Sequence, residues 1–199
     1  MSYLRTIGVP DRYQRIADEA PDISLPDLST GRWVFLFGPA GCGKTHRAVQ
    51  ILHAHFARVG KPRESQWRPW HHDPRPPAGP RFVDWPEHLA AQRRAIAADA
   101  EDDSRCLLLK NPSPVILDDV GSERPTDFAV DALNSVISSR YNDCAPTVIT
   151  SNLPLDKIAS AYGDRIASRI HEAALVADQS GNDWRVGRIQ IPATPWHEV

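Results

Sequence analysis

A short glycine-rich segment carries the strongest chemical signal in the sequence. Residues 38–45 read Gly-Pro-Ala-Gly-Cys-Gly-Lys-Thr and fit the pattern GxxxxGK[ST], whose backbone N–H groups can point at phosphate oxygens. The lysine of this pattern reaches the β and γ phosphates, and its hydroxyl residue ligates Mg²⁺. The pattern predicts a nucleotide and Mg²⁺ site made by Gly38, Pro39, Ala40, Gly41, Cys42, Gly43, Lys44 and Thr45, with His46 beside them.

Two adjacent carboxylates end a later apolar segment. Asp118 and Asp119 follow directly on residues 115–117, which read Val-Ile-Leu. A P-loop enzyme needs one carboxylate on the magnesium and a second to polarise the attacking water. We therefore expect Asp118 to bind the metal together with Thr45. Asp119 is then the expected catalytic carboxylate, one methylene shorter than the more usual glutamate.

A third polar group ends the next apolar segment, where residues 150–152 read Thr-Ser-Asn. The Asn152 amide at this place can orient water against the γ-phosphate. Ser-Asn is also ordinary turn chemistry, so the motif alone leaves both interpretations open.

A parallel sheet is the element that would bring these three places together. Short apolar runs bounded by glycine or proline predict strands, and apolar residues at helical spacing predict the helices between them. The predicted strands cover 33–37, 81–85, 114–117, 147–150, 174–177 and 184–191, and the predicted helices cover 45–59, 86–98, 126–141, 155–161 and 164–174. Such alternation indicates an α/β fold with a mostly parallel sheet between two helical layers.

Length and composition exclude several protein classes. A chain of 199 residues with 41% hydrophobic and 24% charged residues is sufficient for one folded domain. It contains no apolar run of membrane-spanning length, and residues 1–11 lack a secretory signal, so we expect a cytoplasmic protein without membrane contact. Three scattered cysteines argue against a disulfide framework or zinc site, and a net charge of −2 confines any DNA contact to a local surface.

The chain divides into a strap, a core domain and a tail. Residues 1–30 are expected to form an N-terminal strap, 31–191 the main domain and 192–199 a tail. Six prolines mark residues 61–80 as an insertion. Interleaved aromatic and cationic side chains in it could stack the bases of single-stranded DNA, or the segment could be a surface loop; they are Trp67, Arg68, Trp70, His71, His72 and Arg75.

Four stretches together resemble a known family. Residues 115–123 read VILDDVGSE, residues 139–141 read SRY, residues 147–155 read TVITSNLPL, and residues 163–169 read GDRIASR. They strongly resemble the DnaC/IstB branch of the AAA+ ATPases, which comprises replicative helicase loaders and transposition helper ATPases. The resemblance runs from about residue 7 to residue 190.

The resemblance implies a fold and a set of roles. It implies an AAA+ domain with a mostly parallel five-stranded sheet and no sizeable C-terminal lid, which binds ATP and Mg²⁺ and hydrolyses ATP. Asn152 looks like the sensor-1 residue, Arg185 like the sensor-2 arginine, and Arg169 like the arginine finger that acts on ATP in a neighbouring subunit. Arg165 and Arg140 are rivals of Arg169 for the last role.

Two features of the sequence depart from the family. Family members usually carry a further N-terminal domain that grips their partner, whereas here residues 7–13 already resemble the lead-in to the ATPase module. The insertion at 61–80 also stands where the family tends to pass directly from helix to strand. Arg93 and Arg94 fall at the family's DNA-facing insertion, or else form a solvated helix face.

Three functions remain open at this point. The leading expectation is a homo-oligomeric ring or spiral on single-stranded DNA, with ATP at the subunit interfaces, that assists loading of a replicative helicase. The second is an IstB-like helper that works with a transposase. The third, from another class, is a nucleotide-switched module that binds DNA or protein with negligible turnover.

Overall fold

Five strands pair side by side in one parallel sheet. The structure is a computed structural model and describes residues 3–60, 79–99, 108 and 111–180. The strand order is β2-β3-β4-β1-β5. The strands are β1 (Trp33–Phe37), β2 (Arg81–Asp84), β3 (Val115–Val120), β4 (Thr147–Ser151) and β5 (Ala174–Asp178). This arrangement confirms the predicted α/β fold with a five-stranded parallel sheet.

The helices after β1 occur in the predicted order, whereas two short helices in the strap were not predicted. They are α1 (Tyr3–Thr6), a 3₁₀ helix (Asp11–Asp18), α2 (Lys44–Val59), α3 (Trp85–Ala97), α4 (Asp127–Asn142), α5 (Leu155–Tyr162) and α6 (Asp164–Ala173). Asp84 and Thr126 fix two of the starts, since their side chains accept from the backbone N–H of Glu87 and Ala129. The predicted strand at 184–191, the tail and residues 61–78 of the insertion lie outside the described residues.

Among the described residues, no helix is both long enough and apolar enough to span a membrane.

Alternation along the strands divides the core between two helical layers. Trp33 and Phe35 of β1 pack into the cluster that contains α3, α4, α5 and α6. Val34 and Leu36, which point to the opposite face, pack into a second cluster with α2. The β3 residues alternate in the same way, with Ile116 on the α2 side. The same face of the sheet therefore carries the start of α2 together with Ile116 and Asp118 of β3.

The N-terminal strap belongs to the core on the α2 side. Six of its apolar residues are at most 4% exposed and share one cluster with α2. Polar contacts add to this packing: Tyr3 Oη lies 2.7 Å from Nδ1 of His53, and Arg58 of α2 donates to the carbonyls of Ile23 and Leu25 at 2.6 Å each. The buried strap residues are Leu4, Ile7, Val9, Ile16, Leu25 and Leu28.

Candidate nucleotide-binding site

The glycine-rich loop connects β1 to α2 as its sequence predicts. Gly41 and Gly43 have φ angles of +87° and +91°, a region that side-chain-bearing residues rarely adopt. Gly43 is also the residue that precedes α2. In a loop of this conformation, successive backbone N–H groups point towards one place and can bind an anion. The positive end of the α2 dipole also favours negative charge there. The loop is therefore shaped to receive phosphate.

Lys44 ties this loop to the end of β4. Its ammonium donates to the carbonyls of Gly38 and Pro39 at 2.8 Å each, and to Oδ1 of Asn152 at 2.9 Å. Only 7% of Lys44 is exposed, so the charge sits inside the loop. The lysine predicted to reach the phosphates thus contacts the amide predicted to orient water.

Asp118 faces the start of α2. It lies two residues after Ile116, on the same side of β3, and its Oδ2 accepts from Thr45 Oγ1 at 3.2 Å. Thr150 of β4 donates to its Oδ1 at 2.7 Å. Burial raises the pKa of the Asp118 carboxyl, and the two hydroxyl hydrogen bonds oppose that rise.

The oxygens around Asp118 fit a magnesium ion. The Thr45 hydroxyl and the Asp118 carboxylate are hard oxygen donors held next to each other by their hydrogen bond. A cation on this carboxylate would offset the desolvation that raises its pKa. Thr45 and Asp118 are thus the residues that would hold Mg²⁺.

A β-bulge brings Asp119 to the same site. The register of β3 on β4 passes from Leu117–Ile149 to Val120–Ser151, so two aspartates face the single residue Thr150. In a regular strand, adjacent side chains point to opposite faces. Here Asp119 has φ +62° and donates its N–H to Thr150 Oγ1 at 2.8 Å. The bulge therefore allows neighbouring carboxylates to serve one site.

Asn152 connects the two halves of the site. Its Oδ1 accepts from Lys44, and its Nδ2 donates to Oδ1 of Asp119, each at 2.9 Å. One amide thus contacts both the phosphate-binding lysine and the carboxylate predicted to polarise water. The structure brings together Lys44, Thr45, Asp118, Asp119 and Asn152, which lie more than a hundred positions apart at their extremes.

Four residues that sequence reasoning did not select also line the site. A cavity of about 420 Å³ is bounded by the glycine loop and the aspartates, and by Arg12, Tyr13, Asp84 and Thr150. Asp84 is in register with Asp118 across β2 and β3. Aligning the ends of the two predicted strands would have placed Asp84 beside Asp118. No local sequence pattern indicates that Arg12 and Tyr13 line the cavity.

An aromatic pair lines this cavity. The ring centroids of Tyr13 and His46 are 6.3 Å apart at an interplanar angle of 62°, and the Arg12 guanidinium lies 4.7 Å from the Tyr13 ring centroid. Burial lowers the pKa of the His46 imidazole, which favours its neutral form at pH 7. These flat groups can pack against a nucleotide base.

Arg169 lies away from this cavity. It is half-buried on α6, donates to Ser138 Oγ of α4, and places its guanidinium 5.7 Å from the Tyr141 ring centroid. Arg165 is exposed on the same helix, one turn earlier. A finger that acts on a neighbouring subunit must lie outside its own site, and both arginines meet that condition.

Arg140 is a structural residue and not a rival for the finger. It is 0% exposed, and its guanidinium donates to Thr147 Oγ1 at 2.8 Å and to four backbone carbonyls at 2.8–3.3 Å. It could not reach another subunit without breaking these bonds. The carbonyls belong to Leu108, Asn111, Ser113 and Pro146.

Of the remaining residues predicted to contact DNA or ATP, Arg93 and Arg94 are described by the structure and the others are not. Arg93 donates to Thr126 Oγ1 at 3.0 Å, and Arg94 pairs with Glu87 at 2.6 Å, both on an exposed face of α3. Arg185 and the aromatic and cationic residues of the insertion lie outside the described residues.

Comparisons with known proteins agree with this fold. No family model matches the chain. A Mycobacterium tuberculosis protein described as an ATP-binding protein in an insertion sequence is 26% identical over 167 residues, which cover 76% of this chain and 59% of that protein. The chain thus matches less than two thirds of the length of that relative.

Solved structures give the fold independently of sequence. The DnaC helicase loader superposes with a TM-score of 0.64 at 23% identity over 85% of this chain and 99% of that one. DnaI superposes with a TM-score of 0.57 at 19% identity, covering 92% and 84% of the two chains. The predicted resemblance to the DnaC/IstB branch of the AAA+ ATPases is confirmed, because the chain shares the fold of the DnaC helicase loader and is similar in sequence to an ATP-binding protein of an insertion sequence.

Proposed function

We propose that this protein is a Mg²⁺-dependent ATPase whose active sites are completed between subunits. The observation that carries the proposal is the continuous set of hydrogen bonds at one edge of the sheet. Asn152 joins Lys44 to Asp119, while Asp118 joins Thr45 to Thr150. A phosphate-binding lysine, a metal-binding pair and a carboxylate that can polarise water are the parts that ATP hydrolysis needs.

Each residue has a defined part in the reaction. Lys44 and the loop N–H groups bind the β and γ phosphates, and Thr45 and Asp118 hold Mg²⁺, which neutralises phosphate charge when bound. Asp119 accepts a proton from water as the water oxygen attacks the γ-phosphorus, and the bond to the β–γ bridging oxygen breaks to give ADP and phosphate. Asn152 keeps the Asp119 carboxylate and Lys44 in fixed relation.

The arginine that completes the site comes from a second subunit. Arg169 supports this assignment because its side chain is only partly buried on α6 and does not line the cavity of its own subunit. Its contacts with Ser138 and Tyr141 hold the guanidinium on the surface of α4. Arg165, exposed one turn earlier, is the alternative donor. A homo-oligomer with ATP at each interface follows from this arrangement.

The process that the ATPase serves has two candidates. The fold of the DnaC helicase loader supports assembly on single-stranded DNA to assist a replicative helicase. The similarity to an insertion-sequence protein supports a transposition helper equally. Purification of the tagged chain with candidate partners present distinguishes the two, because a helicase should be retained in the first case and a transposase in the second.

The first experiment is ATP turnover per subunit as a function of protein concentration, with and without single-stranded DNA. We expect the rate per subunit to rise with concentration and to change when DNA is added. Asp119→Asn and Arg169→Ala should abolish turnover while ATP binding is largely retained. Negligible turnover at every concentration, with intact ATP binding, would instead favour a nucleotide-switched binding module.

A further inference from the structure

We propose that Glu123 is a positioning residue that couples the carboxylate end of β3 to the start of α3 and to the end of α5. The inference deepens the proposed ATPase function and rests on it. Glu123 does not line the nucleotide cavity, and it would act through the elements that its carboxylate connects.

Three donors from three different places converge on this carboxylate. Its Oε1 accepts from Trp85 Nε1 at 2.9 Å and from Tyr162 Oη at 2.8 Å. Its Oε2 accepts from the backbone N–H of Gly121 at 3.1 Å. Trp85 and Tyr162 are 0% and 3% exposed, so neither donor has water as a ready substitute.

A tight turn connects this carboxylate to Asp119. The Asp119 carbonyl accepts from both the backbone N–H and the hydroxyl of Ser122, at 3.3 and 2.9 Å. Gly121 has φ +86°, and a Cβ added there would lie 2.9 Å from Leu153 Cδ1. The segment from Asp119 to Glu123 is therefore a hydrogen-bonded turn that carries both carboxylates.

The donors lie at the ends of helices that carry other parts of the site. Trp85 is the first residue of α3 and follows Asp84, which lines the cavity. Tyr162 is the last residue of α5, and Gly163 alone separates it from α6, the helix of Arg169. Glu123 thus connects the carboxylate facing the nucleotide with the helix pair that carries the intersubunit arginine.

A purely structural role for Glu123 makes a different prediction. In that case its loss would lower the free energy of unfolding and leave turnover by the folded protein unchanged. A positioning role predicts a fall in kcat with ATP affinity retained, since a small displacement of catalytic groups has a large effect on rate.

Four variants separate these possibilities. Tyr162→Phe removes one hydrogen bond and keeps the buried ring, so it should fold even if Glu123→Ala does not. Glu123→Gln keeps an oxygen that can accept from Trp85 and Tyr162. Glu87→Gln is the matched control, because Glu87 is an exposed glutamate whose side chain pairs with Arg94 on the surface of α3.

We expect Glu123→Ala to lower kcat about tenfold or more, Tyr162→Phe to lower it less, and Glu123→Gln to restore most of it. The KM for ATP and the rate of Glu87→Gln should stay within about twofold of wild type. Combining Glu123→Ala with Tyr162→Phe should add little to the first substitution, since the two groups act as a unit. Wild-type kcat in folded Tyr162→Phe and Glu123→Ala would overturn the proposal.

A second measurement is independent of hydrolysis. The indole N–H resonance of Trp85, assigned with Trp85→Phe among the six tryptophans of the chain, should shift when Mg²⁺ and the analogue AMPPNP are added. Glu123→Ala should bind AMPPNP and lose that shift. If wild type binds AMPPNP without a shift, the coupling is overturned. If the shift occurs but no condition gives turnover, the ATPase proposal fails while the coupling stands.

Discussion

Arg140 and Arg169 have the same side chain in opposite environments. Arg140 is 0% exposed and is surrounded by four carbonyls and a hydroxyl. Burial lowers the pKa of its guanidinium to about 10, so it remains charged at pH 7. Arg169 is half-buried, with a hydroxyl and an aromatic ring beside it. Arg140 therefore holds the segments that carry these carbonyls together, whereas Arg169 keeps its positive charge near the surface.

We predict that Arg140→Met lowers the free energy of unfolding by at least about 3 kcal/mol, because it leaves several buried acceptors without a donor. Arg169→Ala should lower it by less than about 1 kcal/mol, since its contacts are partly exposed. Urea unfolding followed by circular dichroism measures both. Equal stability of the two variants would show that the buried guanidinium does not hold its segments in place.

The conformation of Asp119 gives a physical reason for its short side chain. Its φ of +62° is a left-handed conformation that aspartate and asparagine tolerate better than most residues. The shorter carboxylate is also already within hydrogen-bonding distance of Asn152. The sequence showed the departure from glutamate, but only the bulge explains why aspartate suits this position.

At the scale of elements, local pattern was sufficient to predict β1–β5 and α2–α6, whereas α1 and the 3₁₀ helix were not predicted. Apolar runs ended by glycine or proline located β1, and helical spacing located α2 and α4 to within about two residues. The three polar strand ends were expected to meet, and they do, because parallel strands end at one edge of the sheet.

Contacts between segments that are far apart in the chain could not be predicted from the sequence. The burial of Arg140 depends on carbonyls from segments that precede it by as many as 32 positions. Residues 1–30 were expected to form a strap, and six of its apolar residues pack on α2 through contacts that no local periodicity specifies. Tyr13 reaches the site for the same reason, since it follows the path of that strap.

The strap offers a test at this scale. Ile16 of the 3₁₀ helix is 2% exposed, whereas Ile23 in the same segment is 72% exposed. We predict that Ile16→Ala lowers the free energy of unfolding by about 2–4 kcal/mol. Ile23→Ala should change it by less than about 0.5 kcal/mol. Chemical denaturation checks both values, and a strap that is only loosely attached would make the two variants alike.

At the scale of the whole molecule, shared active sites predict complementation between inactive subunits. Lys44→Ala should lose ATP binding and keep Arg169, while Arg169→Ala keeps its own site and lacks the donor for its neighbour. When the two variants are mixed in equal amounts and assemble at random, about a quarter of the interfaces should contain both an intact Lys44 and an intact Arg169. Turnover of the mixture should exceed that of either variant alone. A mixture as inactive as its components would contradict an arginine supplied between subunits.

The position of β1 between β4 and β5 has a consequence for how the chain is made. Its partners β4 and β5 begin at Thr147 and Ala174, so about 110 residues follow Phe37 before the first of them is synthesised. At about 5–20 residues per second this takes about 5–20 s. During that time an apolar strand and the phosphate loop have no sheet to join. Nascent chains should therefore expose Trp33–Phe37 to chaperones and acquire nucleotide only late in translation.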